Sequence, residues 1–179
     1  SDSTYYAAGD VRANENIELT SMQTLFVREH NRLAAQIARQ NPKWGDEQIY
    51  QKARSLVIGE IQQVTYNEFL PALVGTNAIR PYAGYKANVN PDISNEFSTA
   101  AYRIGHSMLE DDVDFLDNNG NPVRDSLSLA NAFFNPAVVG ATGIDSILKY
   151  LASSNSEEID PKVVDSLRNF LFGQPEIGR

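Results

Sequence analysis

The spacing of apolar residues predicts two long helices in the first part of the chain. From residue 19 to residue 37, apolar side chains recur on one face at 3.6 residues per turn: Leu19, Met22, Phe26, Leu33 and Ile37. Asn41 and Pro42 end this helix, because proline disfavours helical geometry in the residue before it. Asp46 is expected to cap a second helix. The apolar stripe of that helix comprises Tyr50, Ala53, Val57, Ile61 and Val64.

The rest of the chain predicts shorter elements. Residues 75–91 are rich in Gly, Pro and Asn and predict a connection without regular structure. A third helix is expected to begin at Pro91 or Asp92 and to run to about residue 108. Its apolar face comprises Ile93, Phe97, Ala100, Ile104 and Met108.

A hairpin and two further helices follow in the pattern. Asn119-Gly120 lies between two short strand-like runs and predicts a type I′ turn. Residues 143–152 and 161–172 predict two shorter helices. The expected fold class is therefore mainly α, a multi-helix core with one small β-hairpin.

Composition excludes several classes of function. The 179 residues carry 15 Lys and Arg against 23 Asp and Glu, which gives a formal net charge of −8. Nucleic acid is not an expected partner, because a phosphate backbone attracts clustered basic residues. Cysteine is absent, so the chain has no disulfide, thiolate metal site or cysteine nucleophile. Its apolar stretches are too short for a transmembrane segment.

The two histidines occupy different positions in the helical pattern. His30 lies at the centre of the first apolar face, which favours a core imidazole with hydrogen-bonded nitrogens. His106 lies opposite the third apolar face and shares its side with Thr99, Tyr102 and Arg103. That side suits either solvent or a cofactor whose metal binds the imidazole and whose anionic group meets Arg103. Helical periodicity alone leaves these alternatives open.

Five segments of the chain resemble those of a known family, in the family's order. They are "GDVRANENIELTSMQTLFVREHNRL" (residues 9–33), "NPKWGDEQIYQKARSLVIGEIQQVTYNEFLPALVG" (residues 41–75), "RIGHSML", "LANAFFNP" and "GIDSILKYL". Together they resemble the animal-type haem peroxidases over nearly the entire chain. The resemblance implies a mainly α haem peroxidase fold. It also implies reduction of hydrogen peroxide with oxidation of a small donor.

The same resemblance identifies candidate site residues. His106 matches the proximal histidine that provides the fifth ligand of haem iron, and Arg103 matches an arginine expected to pair with a haem propionate. Arg12 matches the distal arginine, whose charge stabilises negative charge as the peroxide O–O bond breaks. Glu15 matches a glutamate that forms an ester with a haem methyl group in some members. The implied cofactor is haem b or covalently modified haem. For Arg12 and Glu15 the alternative is a surface ion pair at a helix start.

Some positions bear on the type of peroxidase. Asn16 stands where one member has the methionine that makes a sulfonium link to haem, so that link is not implied here. The cyclooxygenases share the scaffold, but their radical-forming tyrosine lies three residues before the proximal histidine. Arg103 occupies this place and Tyr102 lies one residue earlier, which favours a peroxidase over a fatty-acid oxygenase. A haem-free interaction module on the same scaffold is a second alternative.

The matched segments cover the central part of the family domain. In the family, the distal histidine and the calcium-binding residues precede this part, and the asparagine that supports the proximal imidazole follows it. We therefore expect residues 1–179 to be a partial peroxidase domain without the calcium site, weakly active in isolation. Such a segment is expected to associate with the remaining parts of the domain or with itself. The resemblance favours a secreted protein and leaves open the donor, whether halide, thiocyanate, phenol or protein tyrosine.

Overall fold

Helices predominate in the computed structural model, which describes residues 5–171. A 3-10 helix at Val11–Asn14 precedes the first α-helices. The α-helices are α1 (Ile17–Gln40), α2 (Asp46–Val64), α3 (Leu70–Val74), α4 (Asn95–Thr99), α5 (Leu129–Ala132), α6 (Pro136–Thr142) and α7 (Asp145–Ser153). A second 3-10 helix spans Ala101–Met108, and π-helical turns span Thr65–Phe69 and Ser166–Leu171. Within residues 5–171, no helix is both long enough and apolar enough to cross a bilayer.

One small antiparallel sheet accompanies these helices. Strand β1 (Asp112–Val113) pairs with β2 (Leu127–Ser128), with Asp112 opposite Ser128 and Val113 opposite Leu127. The expected fold class, mainly α with one small hairpin, is confirmed.

The chain divides into two compact units. The first contains the described residues up to Thr24 and from Asp92 onward, and the second contains Leu25–Pro91. In the first unit the fully buried side chains of Ile17, Phe115 and Ile147 lie at the centre of the core. In the second unit, α1 and α2 pack through four buried side chains, those of Leu33, Ile37, Ala53 and Val57.

Both long helices form where the apolar pattern predicts them, but the cap of α2 differs. Asp46 is the first helical residue and Gly45 is the N-cap, with its N–H donating to Gln48 Oε1 at 3.1 Å. The expectation that Asp46 caps α2 is therefore wrong. Its carboxylate instead lies in the first turn, where the helix dipole favours negative charge. Of the expected α2 stripe, Ala53 and Val57 are buried, whereas Tyr50, Ile61 and Val64 are exposed.

The third helix is shorter and interrupted. Ser94 Oγ accepts a hydrogen bond from the Phe97 N–H at 3.3 Å, so α4 begins after Ser94 and not at Pro91 or Asp92. Ala100, with φ −124° and ψ −69°, then breaks the α-helix, and the chain continues as the 3-10 helix Ala101–Met108. The expected apolar face does not form a buried stripe, because its members Ile93, Phe97 and Ile104 are exposed.

The hairpin turn also differs from its prediction. A type I′ turn requires positive φ at both of its central residues, here Asn119 and Gly120. Asn119 does not meet this requirement, because Phe134 is the non-glycine residue with positive φ among the described residues. Gly120 has φ 84° and donates its N–H to Asp117 O at 3.0 Å. The turn is therefore a longer one with glycine in the left-handed region, stabilised by Asp117 Oδ1, which accepts from the backbone N–H groups of Asn119 and Asn121.

Of the last two predicted helices, α7 forms as expected at Asp145–Ser153. The other begins at Ser166 as a π-helical turn, not at residue 161, and its predicted last residue, Phe172, lies outside the described residues.

Asn16 provides a test of how α1 begins. Its Oδ1 accepts a hydrogen bond from the Leu19 N–H at 2.7 Å, the geometry of a helix N-cap. We expect Asn16→Ala to lower the free energy of unfolding by about 1 kcal/mol in urea denaturation, and Asn16→Asp to retain it. Asn118→Ala, in an exposed turn, is the matched control. Equal losses in the Ala and Asp variants would contradict the capping role.

Candidate functional site

His106 lies at the edge of a cavity in the first unit. Its half-buried ring helps to line a space of about 680 Å³, within the range of roughly 300–1,000 Å³ typical of small-molecule sites. The other lining residues are Pro161, Lys162, Val163, Leu167 and Arg168. Within residues 5–171 neither ring nitrogen of His106 has a hydrogen-bond partner. The imidazole is therefore available to bind a metal.

Arg103 lies on the same side of the 3-10 helix as His106. A 3-10 helix has three residues per turn, so side chains at positions i and i+3 lie one above the other. Arg103 is exposed, and its N–H donates to Ala100 O at 3.0 Å where the helix begins. The arrangement places a positive charge one turn away from the imidazole, where it suits an anionic group on a ligand of His106.

His30 has a different environment. It belongs to the second unit, where Nε2 lies 3.3 Å from Tyr50 O and Nδ1 lies 3.3 Å from Asn31 Oδ1. Its ring packs against the Tyr50 ring with centroids 5.0 Å apart. Both contacts are to oxygen atoms, and a neutral imidazole has one N–H, so it donates to one of them. The prediction of a hydrogen-bonded imidazole is confirmed for one nitrogen, and the ring is half-buried and not fully enclosed in a core.

Arg12 forms a bidentate ion pair with Asp10. Arg12 Nε lies 3.0 Å from Asp10 Oδ1, and Nη2 lies 2.6 Å from Oδ2. Asp10 also caps the first 3-10 helix, because its Oδ1 accepts the Arg12 N–H at 2.9 Å. The hydrogen bonds from Arg12, above all those of its side chain, lower the pKa of Asp10 to about 2.

The ion pair at this helix start therefore involves Asp10 and not Glu15. Asp10 is absent from the residues singled out in the sequence. The signal that could have identified it is an aspartate directly before a short helical turn, a typical N-cap position.

Buried polar contacts hold the turn that contains Arg12 and Glu15. Asn14 is buried and makes two hydrogen bonds with the Tyr6 backbone, at 3.0 and 2.9 Å. Thr20 Oγ1 donates to Ala13 O at 2.8 Å, and Glu15 O accepts the Phe134 N–H at 2.9 Å. Glu15 itself is half-buried. The backbone on both sides of these residues is thus fixed.

All four candidate residues fall within the first unit, as two separate pairs. Arg12 and Glu15 belong to the stretch that leads into α1, and Arg103 and His106 belong to the second 3-10 helix. In the described part of the chain, no hydrogen bond or ion pair links one pair to the other.

The sequence of the chain matches one protein family over its full extent. The model of the animal haem peroxidase family matches residues 1–179. The chain belongs to the animal haem peroxidase family.

Individual members of the family are similar to most of this chain. Peroxinectin A of Dictyostelium discoideum is 41% identical over 173 residues, which are 97% of this chain and 32% of that protein. Lactoperoxidase of Mesocricetus auratus is 42% identical over 175 residues, 93% of this chain and 24% of that protein. The solved structure of peroxidase A from Dictyostelium discoideum matches with a TM-score of 0.88 at 40% identity. The match covers 96% of this chain and 33% of the peroxidase A chain. The chain thus spans about a third or less of these relatives' length.

The Asp10–Arg12 ion pair predicts a dependence on acid pH. Because the pKa of Asp10 falls from its ordinary 3.8 to about 2, its stabilising contribution is present above pH 3.8 and is lost as the pH falls toward 2. We expect an NMR titration of the Asp10 carboxyl to show a midpoint near 2, and a higher midpoint, still below 3.8, in Arg12→Ala, because the backbone N–H of residue 12 still donates to Asp10. Arg32→Ala is the control and leaves the midpoint in place. An unchanged midpoint in Arg12→Ala would refute the ion pair.

Proposed function

We propose that these residues are part of a haem peroxidase in which His106 is the proximal iron ligand. The observation that carries the proposal is the contrast between the two histidines. His106 lines a cavity with both nitrogens unpaired in the described residues, whereas both nitrogens of His30 lie 3.3 Å from protein oxygen atoms, one of which accepts its N–H. Membership of the animal haem peroxidase family supports the assignment to peroxide chemistry.

The residues around the cavity suit an anionic, largely apolar cofactor such as haem b or a covalently modified haem. Val163 and Leu167 provide apolar walls, and Arg168 adds positive charge. Lys162 is already paired with Asp160, at 3.0 Å. In this proposal Arg103 pairs with a haem propionate and half-buried Glu15 is the candidate for an ester with the haem. Haem, when bound, supplies cleavage of the peroxide O–O bond and oxidation of the donor.

Arg12 has the chemistry of a distal charge stabiliser. Asp10 engages Nε and Nη2, which leaves the donors of Nη1 for a ligand. The guanidinium stays positively charged at all relevant pH values. It would stabilise the negative charge that develops on oxygen as peroxide is cleaved. The salt bridge would orient the guanidinium for this role.

The same proposal includes the substrates, the association partners and the secretion of the enzyme. Its substrates are hydrogen peroxide and a small reducing donor, and residues 1–179 act together with the remaining parts of the peroxidase domain or through self-association. The exposed apolar side chains of Ile93, Phe97 and Ile104 support such association. Secretion is proposed from the family resemblance.

Histidine variants test the iron ligand in the complete protein that contains this chain. We expect His106→Gly to lose the spectrum of five-coordinate ferric haem, because the axial nitrogen is removed, and added imidazole to restore it. His30→Gly is the matched control, with an unchanged haem spectrum and lower thermal stability. If His30→Gly loses the axial ligand and His106→Gly retains it, the assignment is wrong.

The unmodified complete protein separates the alternatives in the same experiment. We expect a Soret band on haem addition and peroxide-dependent oxidation of a donor. Absence of the Soret band would support a haem-free interaction module. Oxygen uptake with a polyunsaturated fatty acid would support a fatty-acid oxygenase.

Arginine variants test the distal charge. We expect Arg12→Ala to lower the rate constant for reaction with hydrogen peroxide by roughly 10²- to 10³-fold in stopped-flow absorbance measurements, because a fixed charge is lost. Arg32 forms a comparable exposed bidentate pair with Glu29, at 2.6 and 2.7 Å. Arg32→Ala is therefore the matched control and should retain the rate. A similar loss in both variants would argue against a specific role for Arg12.

A further inference from the structure

A tyrosine hydroxyl anchors the segment that follows the His106 helix. Tyr150 on α7 is 5% exposed, and its hydroxyl lies 2.8 Å from Glu110 Oε2 and 3.0 Å from Asp112 O. A phenol has one hydrogen to donate, and a carboxylate is the stronger acceptor of the two. Tyr150 thus donates its hydrogen to Glu110 and joins this segment to a helix 40 residues further along the chain.

Further hydrogen bonds tie the same segment to the cavity wall. Asp111 Oδ1 accepts the Ser166 N–H at 3.2 Å, and Asp111 O accepts the Leu129 N–H at 2.6 Å. Ser166 begins the π-helical turn that supplies Leu167 and Arg168 to the cavity. Residues 110–112 are therefore fixed against both α7 and the turn that lines the same cavity as His106.

The electrostatic surroundings keep the tyrosine a donor. Burial raises the pKa of Tyr150 above its ordinary value, and the nearby Glu110, Glu18 and Asp114 raise it further. Glu18, in the first turn of α1, also has a raised pKa because it is half-buried and lies near Glu110. The Tyr150 hydroxyl therefore stays protonated and continues to donate its hydrogen bond to Glu110 over the pH range in which proteins are active.

We propose that Tyr150 and Glu110 are positioning residues for the proximal ligand. Their hydrogen bond fixes the chain four residues beyond His106 and so holds the imidazole at a defined angle to the cavity. This inference rests on the proposed function, because it assumes that His106 binds haem iron. Neither residue contacts the reacting atoms in this proposal.

The test measures the iron–histidine stretching band by resonance Raman spectroscopy. The sample is the complete protein with its haem iron in the ferrous state. Tyr150→Phe and Glu110→Ala are each expected to shift or broaden the band and to lower kcat by about tenfold. Glu110→Gln keeps an acceptor for the phenol and is expected to retain the wild-type band. The double variant is expected to show the same shift as either single variant, because both remove one bond.

The matched control is Tyr85→Phe. Tyr85 is 87% exposed, and its hydroxyl has no partner within residues 5–171, so the same chemical change should leave the band in place. A band that disappears in His106→Gly but stays unmoved in Tyr150→Phe and Glu110→Ala would overturn the positioning role alone. A wild-type band that persists in His106→Gly would overturn the proposed function and this inference with it.

Discussion

Burial of Ile17 in the core of the first unit is the packing constraint on which the candidate site depends. Ile17 is fully buried in the same apolar cluster as Val113 and Phe115, although nearly one hundred residues separate them in the chain. Burying side chains of this size contributes about 1.5–3 kcal/mol each. Arg12 and Glu15 lie just before Ile17, and His106 lies just before Val113. The apolar core therefore brings both candidate pairs into one compact unit.

Polar contacts then define the local geometry on each side of that core. On the side of Arg12, Asn14 and Thr20 bind backbone groups, and Asn16 caps α1. Asn16 occupies the position at which one family member has a methionine linked to haem. In this chain the Asn16 amide oxygen accepts a hydrogen bond from the Leu19 N–H. On the side of His106, Tyr150 holds the following segment. In both places, polar contacts of other residues fix the backbone near the candidate site residues.

The sequence predicts well the parts of the fold that depend on long periodic patterns. Helices α1 and α2 were predicted by apolar spacing over about twenty residues, and α7 by a shorter run of the same kind. The break at Ala100 was not predictable from periodicity, because an apolar spacing near three to four residues fits both an α-helix and a 3-10 helix. The turn at Gly120 differs for a local reason, since Asp117 accepts several backbone hydrogen bonds.

The candidate site could be predicted only in part. Helical periodicity does not decide the role of His106, and the role proposed for it, like that of Arg12, comes from resemblance to haem peroxidases. The Asp10 partner of Arg12 was recognisable as a helix cap. The Tyr150–Glu110 bond was not recognisable, because it joins residues 40 positions apart through tertiary packing.

In the proposed function His106 binds the haem iron and Arg12 lies on the opposite face of the haem. The most direct measurement is an anomalous-difference map at the iron edge from crystals of the complete protein with haem. We expect one iron peak at bonding distance from a ring nitrogen of His106, and the Arg12 guanidinium across the porphyrin plane. Iron bound by His30 or by another residue, or Arg12 on the same face as His106, would contradict it.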